Sequence, residues 1–106
     1  MQRHTVIMKL KPEQTERYIQ LHKAIPPEVV EIGRQAGLRN YSIHCVGCYL
    51  FSYFEYTGTN YARDMEWKNA QPAIRAWQAQ TASCFAPVCE TELAVFPTEI
   101  FYNSYQ

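Results

Sequence analysis

Neither sign of charge prevails in this sequence of 106 residues: ten Lys and Arg are matched by ten Asp and Glu, the formal net charge is zero, and no basic run occurs. A chain so balanced has no electrostatic pull on nucleic acid or on an anionic membrane, and both are set aside as partners. Long apolar runs are missing too, since no window approaches the ~18–20 residues of a spanning helix. The short apolar patch near the N-terminus is broken by Lys9 and Lys11, so no cleavable signal is read there. There is no internal repeat and no low-complexity tract. The expectation is a cytoplasmic protein of one domain, residues 1–106, long enough to bury a core without staples. In a reducing compartment Cys45, Cys48, Cys84 and Cys89 are read as free thiols.

The surplus lies in the aromatics: eight Tyr, five Phe and two Trp. Tyr and Trp pair a flat apolar face with a polar edge, which suits sugars, bases and amphipathic partners.

The chain is organised around Glu13–Glu28, E-Q-T-E-R-Y-I-Q-L-H-K-A-I-P-P-E. As a helix it puts Tyr18, Leu21, His22 and Ile25 on one stripe at i, i+3, i+4 and i+7. Leu or Ile would fill that volume without a polar atom to satisfy, so a phenol beside an imidazole asks for a purpose. One answer is a core tyrosine and a core histidine bonded to backbone. The other is a general acid or base with a neighbouring phenol that holds a substrate.

Before that helix, residues 3–10 read as a strand with Thr5, Ile7 and Lys9 on one face and Val6, Met8 and Leu10 on the other. Pro12, Glu13 and Glu16 suit a helix start. Pro26-Pro27 interrupts, residues 28–36 resume with Val29, Ile32 and Ala36 at helical spacing, and Gly37 stops the run. Residues 38–45 and 48–56 flank a short turn at Val46-Gly47 and read as a hairpin. Asn60 caps a helix through Trp67, and Pro72 begins another to about Cys84. Residues 86–97, with two prolines, read as loop, and Thr98–Tyr102 as the last strand. The order β-α-β-β-α-β implies an α+β fold: a four-stranded antiparallel sheet with helices on one face. The aromatic face left bare asks for a partner, most simply a second copy as a homodimer.

Other residues have plainer accounts. His44 has the opposite parity to Ile43 and Cys45 and faces away from them, and His4 is placed at a solvated or interface position. Cys45-Val-Gly-Cys48 has half the spacing of a zinc site, but Cys84 and Cys89 do not complete it, so no metal is expected. Asn40-Tyr41-Ser42 fits a glycosylation tripeptide yet falls in a strand. Trp67 and Trp77 are core by default, although a tryptophan at a pocket rim can stack on a pyranose, and Arg75 is read as solvated.

Taken in order, M-K-L-K-P-E at 8–13, Tyr18, His22, the corner at Ile25–Glu28, Gly37, N-Y-S-I at 40–43, Trp67, Arg75-Ala76-Trp77 and E-I-F-Y at 99–102 resemble the L-rhamnose mutarotases over nearly the whole chain. The resemblance implies a ferredoxin-like fold in a dimeric α/β-barrel-type assembly, and an isomerase that interconverts the α and β anomers of a 6-deoxy hexose. It implies His22 as proton donor, with Tyr18, Tyr41 and Trp77 binding the sugar and no cofactor. The family's pair of tryptophans is reduced here to Ala76 and Trp77, and Pro26 stands where tryptophan is usual. Both departures are expected to widen the pocket, so the sugar is less fixed than the reaction, with L-fucose or another hexose as alternatives. A cofactor-free oxygenase or small-molecule binder on the same scaffold, or a purely structural module, are the rival classes.

Overall fold

The structure is a computed structural model that describes all residues, 1–106. Strand β1 (Gln2–Leu10) leads through a single 3₁₀ turn at Pro12–Gln14 into α1 (Thr15–His22) and then α2 (Pro27–Gln35). The hairpin β2 (Leu38–Val46) and β3 (Tyr49–Tyr56) follows, then α3 (Tyr61–Ala70), α4 (Pro72–Thr81) and the short strands β4 (Phe85–Ala86) and β5 (Ala94–Val95). The sheet runs β2-β3-β1-β4, with β5 also on β1, and every pairing is antiparallel. The α+β fold with its split β-α-β-β-α order is the expected one.

Local signals explain the joints. Asn60 caps α3, its side chain accepting from the Arg63 N–H, and Pro27 and Pro72 open α2 and α4 where a missing N–H costs nothing. Gly37 ends the α2 segment at φ 102°, a left-handed conformation that glycine adopts freely. Helix α1 closes at His22, a turn short of Ile25, because Pro26 and Pro27 forbid its continuation.

Register assigns the faces. His4, Val6, Met8 and Leu10 pair across the sheet with Phe54, Ser52, Leu50 and Phe85, and these point toward the helices. Leu10, Tyr18, Leu50 and Cys84 form the core cluster. Thr5, Ile7, Lys9, Tyr49, Phe51 and Tyr53 take the other face, joined by His44 opposite Phe51.

The C-terminal region corrects the sequence reading twice. Thr98–Tyr102 forms no strand, and the stretch read as loop supplies the sheet edge instead: Leu10 and Lys9 pair with Phe85 and Ala86, and Ile7 and Met8 with Val95 and Ala94. Pro87 and Pro97 end these short strands without preventing them, since an edge strand needs only a pair or two of ladder bonds. Beyond Pro97 the tail forms no helix or strand, with Ile100 95 % exposed. Arg3 holds it, forking onto the Glu99 carboxylate at 2.7 and 3.0 Å while its guanidinium lies 3.4 Å over the Tyr102 ring.

Candidate active site

Between the helix layer and the sheet lies a cavity of about 760 Å³, within the size range of small-molecule sites, walled by α1, α2, α4, β2 and one turn of α3. Tyr18, His22, Tyr41 and Trp77, the four residues singled out from the sequence, all line it. Ile25 joins them, whereas Leu21 turns to a shallower hollow on the far side of α1 with Pro26.

Helix α1 sets the first two side chains. Tyr18 packs into the core, 7 % exposed, against the edge of Phe85. Every fully buried side-chain polar atom in the protein has a hydrogen-bond partner. The Tyr18 hydroxyl has none, so it is not sealed and opens onto the cavity that its ring lines. Burial pushes this phenol well above the ordinary tyrosine value, with smaller contributions from Tyr41 and the Cys84 and Cys45 thiols. It stays neutral near physiological pH, able to donate and to accept but not to serve as a phenolate.

One turn later His22 lies over the Tyr18 ring, centroids 4.1 Å apart, and meets the Trp77 indole edge-on at 5.1 Å. Its Nδ1 is 2.9 Å from the Tyr18 carbonyl oxygen. A carbonyl only accepts, so Nδ1 carries the proton and the Nε2 lone pair is left free of any partner in the protein.

Tyr41 reaches the cavity through a backbone irregularity. The β2–β3 register shifts between Arg39 and Ser42, and Asn40 sits at φ 52° with its amide donating to the Glu55 carboxylate. Such a bulge re-aims one side chain, here laying Tyr41 on Phe54 with centroids 5.1 Å apart. Desolvation, then Tyr61, raises the Tyr41 phenol.

Other candidates fall elsewhere. Trp67 and Arg75 are exposed and outside the cavity wall. Ala76 is exposed and Pro26 lines the shallower hollow, which Trp77 also borders, so neither residue itself lines the cavity of His22. Cys45 is exposed and donates to the Gly47 carbonyl at the hairpin turn, while Cys84 is buried in the core, and all four cysteines are free. Lys68 and Gln78, which the sequence reading left unmarked, stand on the wall.

The family model described as L-rhamnose mutarotase matches residues 3–102. L-rhamnose mutarotases of Rhizobium meliloti strain 1021 and Sinorhizobium fredii strain NBRC 101917 / NGR234 are each 27 % identical over 97 % of this chain and 98 % of their own length. Among solved structures, an L-rhamnose mutarotase from Formosa agariphila superposes with a TM-score of 0.78 at 20 % identity, covering 98 % of this chain and all of that one. The tetracenomycin F2 cyclase of Streptomyces glaucescens, a polyketide cyclase, superposes at 0.61 and 11 % identity over 97 % of this chain and 96 % of its own, so the scaffold alone does not choose a reaction. The family model decides, because it spans all but the two ends: the chain belongs to the L-rhamnose mutarotase family of carbohydrate isomerases, whose reaction is the interconversion of sugar anomers.

Proposed function

We propose that this chain interconverts the α and β anomers of a 6-deoxy hexose, L-rhamnose in the first place, by acid–base ring opening in the cavity. The observation that carries the reading is the unshared Nε2 of His22, on a ring that is held through Nδ1 at the Tyr18 carbonyl and lines the cavity together with Tyr18, Tyr41 and Trp77. As imidazolium, His22 gives its Nε2 proton to the ring oxygen while the C1 hydroxyl loses its own. The bond from C1 to the ring oxygen breaks and C1 becomes a carbonyl. Rotation about C1–C2 presents the other carbonyl face, and the same transfers run backwards to close the ring.

Tyr18 or Tyr41 orients the anomeric hydroxyl and relays its proton as a neutral phenol, accepting with one lone pair while donating onward to water. Trp77 offers its indole to the apolar face of the pyranose. A test is magnetisation exchange between the anomeric NMR signals of L-rhamnose, with L-fucose measured beside it. Acceleration proportional to protein concentration is expected for L-rhamnose. No acceleration of either sugar would sink the reading.

The same reading makes the protein a homodimer in the cytoplasm, where its four free thiols persist. Support comes from the face of the sheet away from the helices, where Tyr49, Phe51 and Val46 are exposed beside a tail that holds Phe96, Ile100 and Phe101 in solvent. Light scattering is expected to give twice the chain mass, and Phe51→Lys to return it to one. A wild-type monomer at assay concentration contradicts the proposal.

A further inference from the structure

Helix α3 turns Tyr61, Asp64, Met65 and Lys68 inward, spaced i, i+3, i+4 and i+7, while Arg63, Glu66 and Trp67 face out. A lysine is out of place on such a stripe, where an apolar side chain would bury at no cost in desolvation. The surroundings give its charge no answer. The cavity has 19 lining residues, with Arg34, Arg39 and Lys68 among them and no aspartate or glutamate. Arg34 forks onto Glu31, and Arg39 donates to the Arg34 and Leu38 carbonyls at 2.8 and 2.7 Å. Lys68 belongs to none of the three ion pairs of the protein. Asp64, one turn before it, is taken by the Tyr56 hydroxyl and by Arg63. Lys68 is therefore the cation on the wall whose charged head has neither an ion-pair partner nor a hydrogen-bond acceptor in the protein, and it borders the space in which a substrate would sit.

We infer that the cavity accepts an aldose bearing a carboxylate at C6, a hexuronate, with Lys68 as the residue that pairs with that carboxylate. The inference rests on the anomer-interconverting reading above and names a second substrate class for it. C6 is the one carbon outside the pyranose ring, so a carboxylate there leaves the hemiacetal and its ring oxygen as they are in a 6-deoxy sugar. One ammonium balances one carboxylate, and the pairing returns to Lys68 the solvation it gives up at the wall. Desolvation pushes the ammonium below the ordinary lysine value, the condition under which an incoming anion gains most.

The test uses two sugars that differ only at C6, L-rhamnose and L-mannuronate, and compares their anomeric exchange rates on the same protein. Wild type is expected to accelerate both. In Lys68→Met the ratio of the uronate rate to the rhamnose rate is expected to fall by about tenfold to a hundredfold, the usual range for losing a hydrogen bond to a charged group. Lys68→Arg restores the ratio, and thermal melts confirm that both variants fold. Exchange of L-rhamnose without L-mannuronate overturns the inference and leaves the underlying reading standing. Exchange of both with a ratio indifferent to Lys68→Met overturns the role of the lysine. If neither sugar exchanges, the underlying reading fails first and the inference goes with it.

Discussion

Replacing His22 with glutamine is expected to lower the protein-catalysed exchange of L-rhamnose anomers by ~10²–10⁴-fold, the usual contribution of one positioned proton-transfer group. Glutamine is the informative choice because its amide can still donate to the Tyr18 carbonyl and fill the space against Trp77, while it cannot carry a proton to a ring oxygen. The loss is therefore expected in the rate at saturating sugar, with the apparent affinity little changed. His22→Ala removes the contacts with Tyr18 and Trp77 as well, 4.1 and 5.1 Å between ring centroids, and is expected to weaken binding in addition. A glutamine variant that exchanges anomers at the wild-type rate takes His22 out of the mechanism and leaves the two phenols to account for it. They are poorly placed to do so, since burial raises both and keeps both neutral.

That the imidazole and the phenol share a stripe was legible in the sequence, because helical spacing from Tyr18 to His22 is a matter of arithmetic. Whether the stripe met packing or a hollow was not. That depends on α4 and β2, which arrive from more than fifteen residues away and leave space in front of α1. The hairpin, the Asn60 cap and the two helical pieces after it were legible for local reasons: each has a residue whose backbone preference or side-chain oxygen acts within four positions. The sheet edge was not. Phe85–Ala86 and Ala94–Val95 are each two residues long, too short for an alternating pattern, and their prolines argued for loop. Thr98–Tyr102 has the β-rich composition of a strand, yet β4 and β5 occupy the free edge of β1 and leave that segment no ladder to join within the chain.

Two features of the cavity left traces that the sequence reading passed over. The step from Leu38 to Tyr41 is odd where a strand facing one core runs in twos, and the bulge at Asn40 absorbs the extra residue. Lys68 ends the half-buried stripe of α3 with a long cation, but Asn69 and Ala70 follow it and the pattern is too short to stand out. Both are places where a local rule is broken next to the site, which is where such breaks concentrate.

The same helix is the subject of the largest stability effect expected. Gly58→Ala is expected to destabilise the protein by about 3 kcal/mol, the upper end of overpacking costs. A Cβ at Gly58 would overlap the Tyr56 hydroxyl and come within 2.8 Å of the Asp64 carboxylate. Neither neighbour can retreat. Tyr56 is fully buried, its hydroxyl donates to Asp64 and accepts from the Asn60 N–H at 2.9 Å, and Asn60 is the residue that caps α3. In a domain of this size ~3 kcal/mol lowers the melting temperature by roughly 10–20 °C. Gly47→Ala supplies the contrast. Gly47 has a left-handed φ of 59° but nothing within 4 Å of its would-be Cβ. Its cost is the backbone preference alone, on the order of 1 kcal/mol. Thermal melts of the two variants separate crowding from backbone strain, and a Gly58→Ala protein that melts no lower than Gly47→Ala contradicts the packing described around Tyr56. Because α3 starts at this junction and carries Lys68 to the cavity wall, loosening it is also expected to lower the exchange of a C6 carboxylate sugar more than that of L-rhamnose.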